Sequence, residues 1–292
     1  MDWRNGCIAV DWGTTNRRAY LMDGKGRLLD EFEDDLGILK VSAGGFAGEI
    51  AAMRERFGAY PVLLAGMIGS DRGWVEAPYA PCPADLDSLA RAISWVTPGE
   101  IGIVPGVSIG GTRPDVMRGE EVQALGAIAA GLVPNDALIC HPGTHAKWIV
   151  MVEGRIDFFR TMMTGELFSL LKTHSILAPQ LGQEIAANAA FDAGAADGLE
   201  DGDLLSDLFT IRARHALHQD SDGAASYASG LLIGSDVRCG LRLHGGGQVA
   251  LVGRPELCAL YARALEQAGQ KAIKVDGAVA FRAGIHALTE SF

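Results

Sequence analysis

The chain has 292 residues, enough for two compact lobes that each bury a core, with a cleft expected between them. Hydrophobic residues make up 48% of the chain without a long apolar run, so the sequence predicts a globular protein without a membrane span. The formal net charge of -11 argues against nonspecific nucleic-acid binding. The first residues show no signal-peptide pattern, so we expect a cytoplasmic protein.

The order of apolar segments in the first half is typical of an α/β fold. Four apolar residues recur at helical spacing and predict one buried helix face: Phe46, Ile50, Met53 and Phe57. Strands are predicted before and after this helix, at Cys7–Val10, at Ala19–Met22, around Leu28 and at Val62–Ala65. The first lobe is therefore predicted to begin as a three-stranded meander, followed by a helix and a further strand.

The same order of segments recurs in the second half. Strands are predicted at Ala137–Cys140, Trp148–Met151 and Ile156–Phe159. Adding 130 to positions 13, 14 and 24 gives Gly143, Thr144 and Gly154, the same residue types in corresponding turns. We interpret this offset as an internal duplication, with an N-terminal lobe at residues 1–134 and a C-terminal lobe at residues 135–292.

The C-terminal lobe is predicted to continue with a mostly helical stretch from Thr164 to Arg238, interrupted near Asp192–Gly194 and near Asp201–Asp203. A strand at Val249–Val252, a helix, a strand at Ala272–Val275 and a closing helix complete the predicted order. The end of the chain therefore alternates strand and helix again.

The segment Asp11–Asn16 ends a predicted strand with an acid and then offers a glycine and two hydroxyl groups. Gly13 allows the backbone to approach a phosphate closely, and the amides and hydroxyls of Thr14 and Thr15 can donate to phosphate oxygens. Asp11 can hold Mg²⁺ through water. The alternative is an ordinary hairpin whose polar side chains satisfy local backbone groups, but the second Gly–Thr turn favours phosphate binding.

The second turn contains Gly143, Thr144 and Lys147, whose backbone, hydroxyl and ammonium groups can bind the terminal phosphates. His141 stands where the first turn has Asp11, so the two turns cannot have identical roles. We therefore expect only the first turn to hold a metal ion.

Three carboxylates lie at or just before the predicted start of a helix: Asp115, Glu120 and Glu121. Acids in a first helical turn complement the helix dipole, which accounts well for Glu121 and also applies to Glu120. A carboxylate at a helix start beside a phosphate site is equally suited to accept a hydroxyl proton as a general base. We favour Glu120 as the catalytic residue over Asp115 and Glu121.

A glycine-rich loop follows the strand at Val62–Ala65 and is dense in polar and aromatic residues. Loops at strand ends of α/β sheets bind small ligands, and Ser70 or Arg72 can grip a carboxylate. The alternative is that aromatic residues such as Trp74 simply pack the loop down.

Other glycines are candidates for the nucleotide. Gly253 ends a predicted strand and precedes a helix, where phosphate is favoured, although a tight strand-to-helix turn explains it equally well. The segments Gly230–Gly234 and Gly245–Gly247 are weaker candidates for contact with adenosine. The chain has neither a P-loop nor a dinucleotide-binding fingerprint to compete with these turns.

Several segments together resemble one family of the actin-like ATPase and sugar-kinase superfamily, the 2-dehydro-3-deoxygalactonokinase family. The matching segments are Asp11–Asn16, Gly66–Ser70, Gly73–Trp74, Glu76–Tyr79, Asp115–Glu121, Pro142–His145, Lys147–Trp148, Thr164–Phe168 and Ser229–Gly234. They reach across most of the chain. The sequence departs from the family pattern at Arg17, where an apolar residue is usual, and at Asp71–Arg72.

The resemblance implies an α/β fold of two duplicated ribonuclease-H-like lobes. It also implies transfer of the γ-phosphoryl group of ATP, with Mg²⁺, to the C6 hydroxyl of 2-dehydro-3-deoxy-D-galactonate. The residues predicted to contact this sugar acid are Asn16, Arg18, Ser70, Arg72, Trp74 and Glu76. Because the substrate is a carboxylate, it fits isolated basic groups in an acidic chain.

Two other functions remain open at this point. The Glu120–Glu121 pair also resembles the glutamate pair of exopolyphosphatases, so a phosphatase on the same fold is the first alternative. The second is a nonenzymatic nucleotide sensor of the actin type. A homodimer is the expected oligomeric state, since twofold dimers are the commonest assemblies.

Overall fold

The computed structural model describes residues 2–200, 202–219, 223–244 and 248–292. The chain divides into two compact units. The first comprises Met1–Asn135, Met151–Phe158 and Gly277–Phe292, and the second comprises Asp136–Val150 and Phe159–Asp276. These units differ from the predicted division after residue 134 by placing two later segments with the first unit; that division itself stays a prediction.

The strands of the described residues are, in chain order, β1 (Gly6–Trp12), β2 (Arg17–Asp23), β3 (Leu28–Asp34), β4 (Val62–Gly66), β5 (Tyr79–Pro81), β6 (Ser94–Thr97), β7 (Ile101–Ile103), β8 (Gly106–Ile109), β9 (Asp115–Met117), β10 (Ala137–His141), β11 (Ala146–Val152), β12 (Arg155–Met162), β13 (Val249–Gly253) and β14 (Ala272–Asp276). The α-helices are α1 (Phe46–Phe57), α2 (Leu86–Arg91), α3 (Glu120–Ala129), α4 (Thr164–His174), α5 (Ala189–Leu199), α6 (Leu204–Ala216), α7 (Ala224–Leu241), α8 (Pro255–Gln267) and α9 (Gly277–Thr289). Among the helices in these ranges, none is long and apolar enough to cross a membrane.

The first unit contains a six-stranded sheet with the order β3-β2-β1-β4-β7-β6. β1 pairs antiparallel with β2 and parallel with β4, because α1 returns the chain before it enters β4. The four apolar residues predicted for one face of α1 are buried in the core of this sheet: Phe46, Ile50, Met53 and Phe57. The predicted meander, helix and strand are therefore confirmed.

The second sheet has five strands with the order β12-β11-β10-β13-β14. β13 pairs parallel with β10, and β14 pairs parallel with β13. This order repeats that of the first five strands of the other sheet, so the predicted duplication is confirmed in the strand order. In both sheets a Gly–Thr turn joins the first two strands of the meander.

The predicted interruption near Asp192–Gly194 is wrong, because these residues lie inside the continuous helix α5. Gly194 serves close packing instead of a turn. A Cβ atom on Gly194 would lie 2.0 Å from the Tyr227 carbonyl oxygen of α7. Gly230 on α7 would meet the Phe191 carbonyl oxygen at 2.1 Å in the same way. These glycines therefore let two helix backbones approach each other.

Helix α3 is held in the first unit by an equally close contact with α9. A Cβ atom on Gly126 of α3 would lie 2.1 Å from the Ala280 carbonyl oxygen, and one on Gly284 of α9 would lie 2.2 Å from the Val122 carbonyl oxygen. Since α3 begins at Glu120, this contact fixes the helix that carries the predicted catalytic residue.

Gly126→Ala is expected to lower the free energy of unfolding by more than about 2 kcal/mol, because two helix backbones must separate to admit the methyl group. Gly48→Ala is the matched control, since Gly48 lies on α1 with open space around it. That change should raise stability by up to about 1 kcal/mol through helix propensity. Urea unfolding of both variants measures this, and equal effects would contradict the packing account.

Candidate active site

The carboxyl ends of β1 and β4 meet the start of α3 at one edge of the first sheet. Gly66 ends β4, and a Cβ atom there would lie 3.4 Å from an Asp11 carboxylate oxygen on β1. A Cβ atom on Gly119, which precedes α3, would lie 3.3 Å from the Gly66 Cα atom. Both glycines have positive φ angles, of 91° and 108°. The structure thus brings Asp11 close to the turn that carries Glu120.

The carbonyl groups of the first Gly–Thr turn are fixed by hydrogen bonds. The Gly13 amide donates to the Asn16 carbonyl at 2.9 Å, and the carbonyls of Gly13, Thr14 and Thr15 accept amides from residues 37–39 at 3.0–3.4 Å. Thr14 and Thr15 are exposed, and within the described ranges neither their amides nor their hydroxyls have a protein partner. A turn with fixed acceptors and available donors suits a phosphate group.

The second Gly–Thr turn repeats this arrangement in the second unit. The Thr144 carbonyl accepts the Glu166 amide at 2.9 Å, and Thr144 is exposed. Lys147 is buried, and its ammonium group donates to the His145 carbonyl of the same turn at 3.0 Å. The predicted contact between Lys147 and phosphate stays a prediction, and the observed hydrogen bond shows that this side chain also stabilises the turn.

Gly253 lies beside the second turn, and its predicted contact with the nucleotide stays a prediction. A Cβ atom on Gly253 would lie 3.7 Å from the Pro142 ring, and the residue has a φ angle of 153°. It ends β13 and is followed at once by α8. Of the other glycine candidates, Gly245–Gly247 lie outside the described residues, and Gly230–Gly234 lie buried within α7, where their predicted contact with adenosine stays a prediction.

The two arginines of β2 have different partners. Arg18 lies opposite Asp11 in the β1–β2 register and pairs with Glu33 at 3.1 Å. Arg17, which departs from the family pattern, is buried and pairs with Asp34 at 2.6 Å and Glu49 at 2.9 Å. It also lies 4.9 Å from the Trp12 ring centre. The unusual charge is therefore balanced locally by two carboxylates.

The loop between β4 and β5 is held by a hydrogen bond within the loop and by a ring contact with α1. The Ser70 hydroxyl donates to the Met67 carbonyl at 2.7 Å, and Trp74 stacks on Phe46 at 6.3 Å. Arg72 and Glu76 are exposed. These contacts give Ser70 and Trp74 a structural role in the loop, while their predicted contacts with the sugar acid, and those of Asn16, Arg72 and Glu76, stay predictions.

The three candidate carboxylates lie in different surroundings. Asp115 is on β9 and accepts the Val116 amide, while Glu120 begins α3 and accepts the Arg118 amide at 3.1 Å. Glu121 is fully buried, and both of its oxygens face the Gly119 amide at 2.7–2.8 Å. Glu120 therefore lies at the sheet edge with partial exposure, whereas Glu121 is enclosed behind it.

Burial, together with the neighbouring Glu120 charge, raises the pKa of Glu121 to about 8. The side chain is therefore largely protonated at neutral pH. A carboxylate that complements a helix dipole is expected to be an exposed anion, so the sequence did not indicate that Glu121 is buried and protonated. Seven consecutive buried residues from Glu121 to Ala127 show that α3 is enclosed on all sides, which sequence periodicity does not reveal.

The Glu121 carboxyl should make stability depend on pH. Its pKa is raised from the ordinary 4.5, so its contribution is present below about pH 4.5 and is lost as pH rises toward 8. Between pH 5 and 8, the unfolding free energy should fall by on the order of 1–3 kcal/mol more in the wild type than in Glu121→Gln. Urea unfolding at several pH values measures this. Glu55→Gln, at an exposed position on α1, should keep the wild-type slope; parallel slopes for all three proteins would contradict the account.

Arg118 is a second buried charge that the sequence did not single out. Its guanidinium donates to the Ala77 carbonyl at 2.8 Å and lies 4.2 Å from the Tyr79 ring centre. The Nε and Nη1 atoms are buried without a partner in the described part of the chain. Arg118 thus joins the loop before β5 to the turn that carries Glu120.

Comparison with known proteins places this site in a family. The family model described as 2-keto-3-deoxy-galactonokinase matches residues 11–288. The chain is 36% identical over 290 residues to the 2-dehydro-3-deoxygalactonokinase of Escherichia coli (strain K12), covering 97% of each chain. It is 37% identical over 292 residues to a Rhizobium meliloti (strain 1021) protein provisionally assigned the same activity, covering 96% of this chain and 95% of that protein.

Solved structures agree with these matches. A crystal structure of a Sinorhizobium meliloti protein assigned as a 2-dehydro-3-deoxygalactonokinase has a TM-score of 0.91, with 35% identity and 98% coverage of both chains. The Clostridium difficile activator of 2-hydroxyisocaproyl-CoA dehydratase, solved with bound ADPNP, has a TM-score of 0.53 at 10% identity and shows the fold alone, with 98% of this chain and 95% of that chain covered. The predicted two-lobed actin-like ATPase fold is confirmed, and the chain belongs to the 2-keto-3-deoxy-galactonokinase family.

Proposed function

We propose that the protein transfers the γ-phosphoryl group of ATP to the C6 hydroxyl of 2-dehydro-3-deoxy-D-galactonate. The observation that carries this proposal is the pair of Gly–Thr turns in which the threonine carbonyls accept backbone amides, while the donors of Thr14, Thr15 and Thr144 have no protein partner in the described ranges. Such turns bind phosphate oxygens. The family relationship supports the sugar acid as acceptor.

Mg²⁺ is the metal ion that this donor set fits. Among the described residues there is no group of three or more histidine, cysteine or acidic side chains that would hold a metal by itself. One carboxylate, Asp11, adjoins the first turn, and Mg²⁺ is commonly held by one or two carboxylates together with waters and substrate phosphates. When bound, Mg²⁺ would neutralise negative charge on the phosphates. Asp11 would hold it, and the two turns would hold phosphate oxygens.

Glu120 is the residue that we assign to the acceptor hydroxyl. It lies at the start of α3 next to Gly119, whose close contact with Gly66 brings the turn to the Asp11 edge of the sheet. Its carboxylate can orient the C6 hydroxyl and accept its proton as the phosphoryl group leaves ATP. Glu121 lies behind it, and its hydrogen bond from the Gly119 amide holds the turn.

The proposal can be tested with a panel of acceptors and a coupled assay for ADP. We expect turnover with 2-dehydro-3-deoxygalactonate, weaker turnover with its gluconate epimer, and none with hexoses that lack the carboxylate. ADP formation that is equal with and without any sugar acid would instead support the phosphatase alternative. ATP binding without ADP formation would support the sensor. The matched relatives favour the kinase over both. The homodimer and the cytoplasmic location stay predictions.

A further inference from the structure

A buried carboxylate in the second unit receives hydrogen bonds from three other elements. Asp236 lies on α7 and is 5% exposed. One of its oxygens accepts the Trp148 indole N–H of β11 at 2.5 Å. The other accepts the Tyr261 hydroxyl of α8 at 2.5 Å and the hydroxyl of Thr164, the first residue of α4. Four elements are therefore joined through one side chain.

The link through Thr164 leads directly to the second Gly–Thr turn. A Cβ atom on Gly165 would lie 2.6 Å from the Gly143 carbonyl oxygen, so α4 begins in backbone contact with this turn. The next residue, Glu166, donates its amide to the Thr144 carbonyl at 2.9 Å, and its carboxylate contacts the His145 ring. The first residues of α4 thus support the side of the turn that carries the carbonyl groups.

We propose that Asp236 is a positioning residue for ATP, which acts by holding Thr164 and, through it, the start of α4 against the Gly143–Thr144 turn. The proposal rests on the ATP-binding role given to that turn above. Asp236 itself does not touch the turn. Its effect is to keep the Thr144 carbonyl engaged, so that the amide and hydroxyl donors of the turn keep a fixed direction. This arrangement also gives a role to two segments of the family resemblance: Thr164–Phe168, which contains Thr164, and Ser229–Gly234, which ends two residues before Asp236.

The chemistry of the cluster supports a positioning role over simple packing. A buried carboxylate costs stability unless donors compensate, and here one indole and two hydroxyl groups do so. Gly240 of α7 leaves room for Trp148, since a Cβ atom there would lie 2.1 Å from the indole ring. A purely apolar cluster would fill the same space without fixing the first residue of α4. The directional bond to Thr164 is what such a cluster would lack.

The two donors to the same Asp236 oxygen provide a matched pair for an experiment. Thr164→Ala removes the bond that leads to the turn, whereas Tyr261→Phe removes the bond from α8. We expect Thr164→Ala and Asp236→Asn to weaken binding of a nonhydrolysable ATP analogue with Mg²⁺ by about tenfold, measured by calorimetry on the full chain. Thr164→Ser, which keeps the hydroxyl, and Tyr261→Phe should stay within about twofold of the wild type.

Steady-state kinetics give a second readout. In Thr164→Ala, the KM for ATP should rise while the KM for the sugar acid stays unchanged. Wild-type ATP-analogue affinity in both Thr164→Ala and Asp236→Asn would overturn the inference, and so would an equal loss of affinity in Tyr261→Phe, because the cluster would then act only through stability. If the wild-type protein bound no ATP analogue, the proposed function would fail, and this inference would fail with it. If the wild type bound the analogue and the variants bound it equally well, only this inference would fail.

Discussion

Asp11→Asn is expected to lower turnover by about 100-fold while the protein stays folded. Asp11 lies at the end of β1, beside both Gly66 and the first Gly–Thr turn. The amide keeps the size of the side chain but removes the negative charge that would hold a hydrated Mg²⁺. We therefore expect a higher Mg²⁺ concentration for half-maximal rate, measured by titrating Mg²⁺ at saturating ATP and sugar acid.

The control for this experiment is Asp35→Asn. Asp35 lies in the same unit, is exposed and pairs with the surface residue Lys40 at 2.5 Å. The same chemical change there should leave both the rate and the Mg²⁺ dependence at wild-type values. Near-normal turnover in Asp11→Asn, at ordinary Mg²⁺ concentrations, would remove the metal role from this residue.

Glu120→Gln is expected to lower kcat by about 10²–10⁴-fold with little change in the KM for ATP. The glutamine can still accept the Arg118 amide that Glu120 accepts at 3.1 Å, so the start of α3 should keep its conformation. It can no longer take a proton from the acceptor hydroxyl. Steady-state kinetics with varied ATP and varied sugar acid separate the loss in kcat from any loss in binding.

Glu121→Gln is the comparison that identifies the base. Glu121 is enclosed and bonds to Gly119, so its replacement should change stability and its pH dependence more than kcat. If Glu121→Gln lost as much activity as Glu120→Gln, the assignment of the base to Glu120 would lose its support. Asp115→Asn should have a small effect, because Asp115 lies on β9 and accepts the next residue's amide.

Much of the fold could be predicted because strands and the α1 face follow simple periodicity. The offset of 130 between Gly13 and Gly143 predicted the repeated sheet order, which the structure confirms. The glycines of α5 misled the prediction, because glycine is the residue both of turns and of close helix contacts. Gly194 faces the Tyr227 carbonyl of another helix. The sequence pattern around Gly194 does not indicate which distant residue packs against it.

The residues of the candidate site likewise include some that could be predicted from the sequence and some that could not. The Gly–Thr turns and Asp11 are local features, so their residues could be selected from the sequence. Glu121 and Asp236 depend on tertiary burial, which changes an ordinary acid into one with a raised pKa. The buried Arg118 guanidinium also depends on contacts with a distant loop, at Ala77 and Tyr79. Buried charged residues of this kind can be identified only from the folded structure.

Phosphorus NMR of the wild-type reaction with ATP, Mg²⁺ and 2-dehydro-3-deoxygalactonate tests most directly whether the phosphoryl group is transferred from ATP to the sugar-acid hydroxyl. We predict one new phosphomonoester signal, coupled to the C6 protons of the sugar acid and equal in amount to the ADP formed. A signal from inorganic phosphate alone, in the same amount as ADP, would contradict the account.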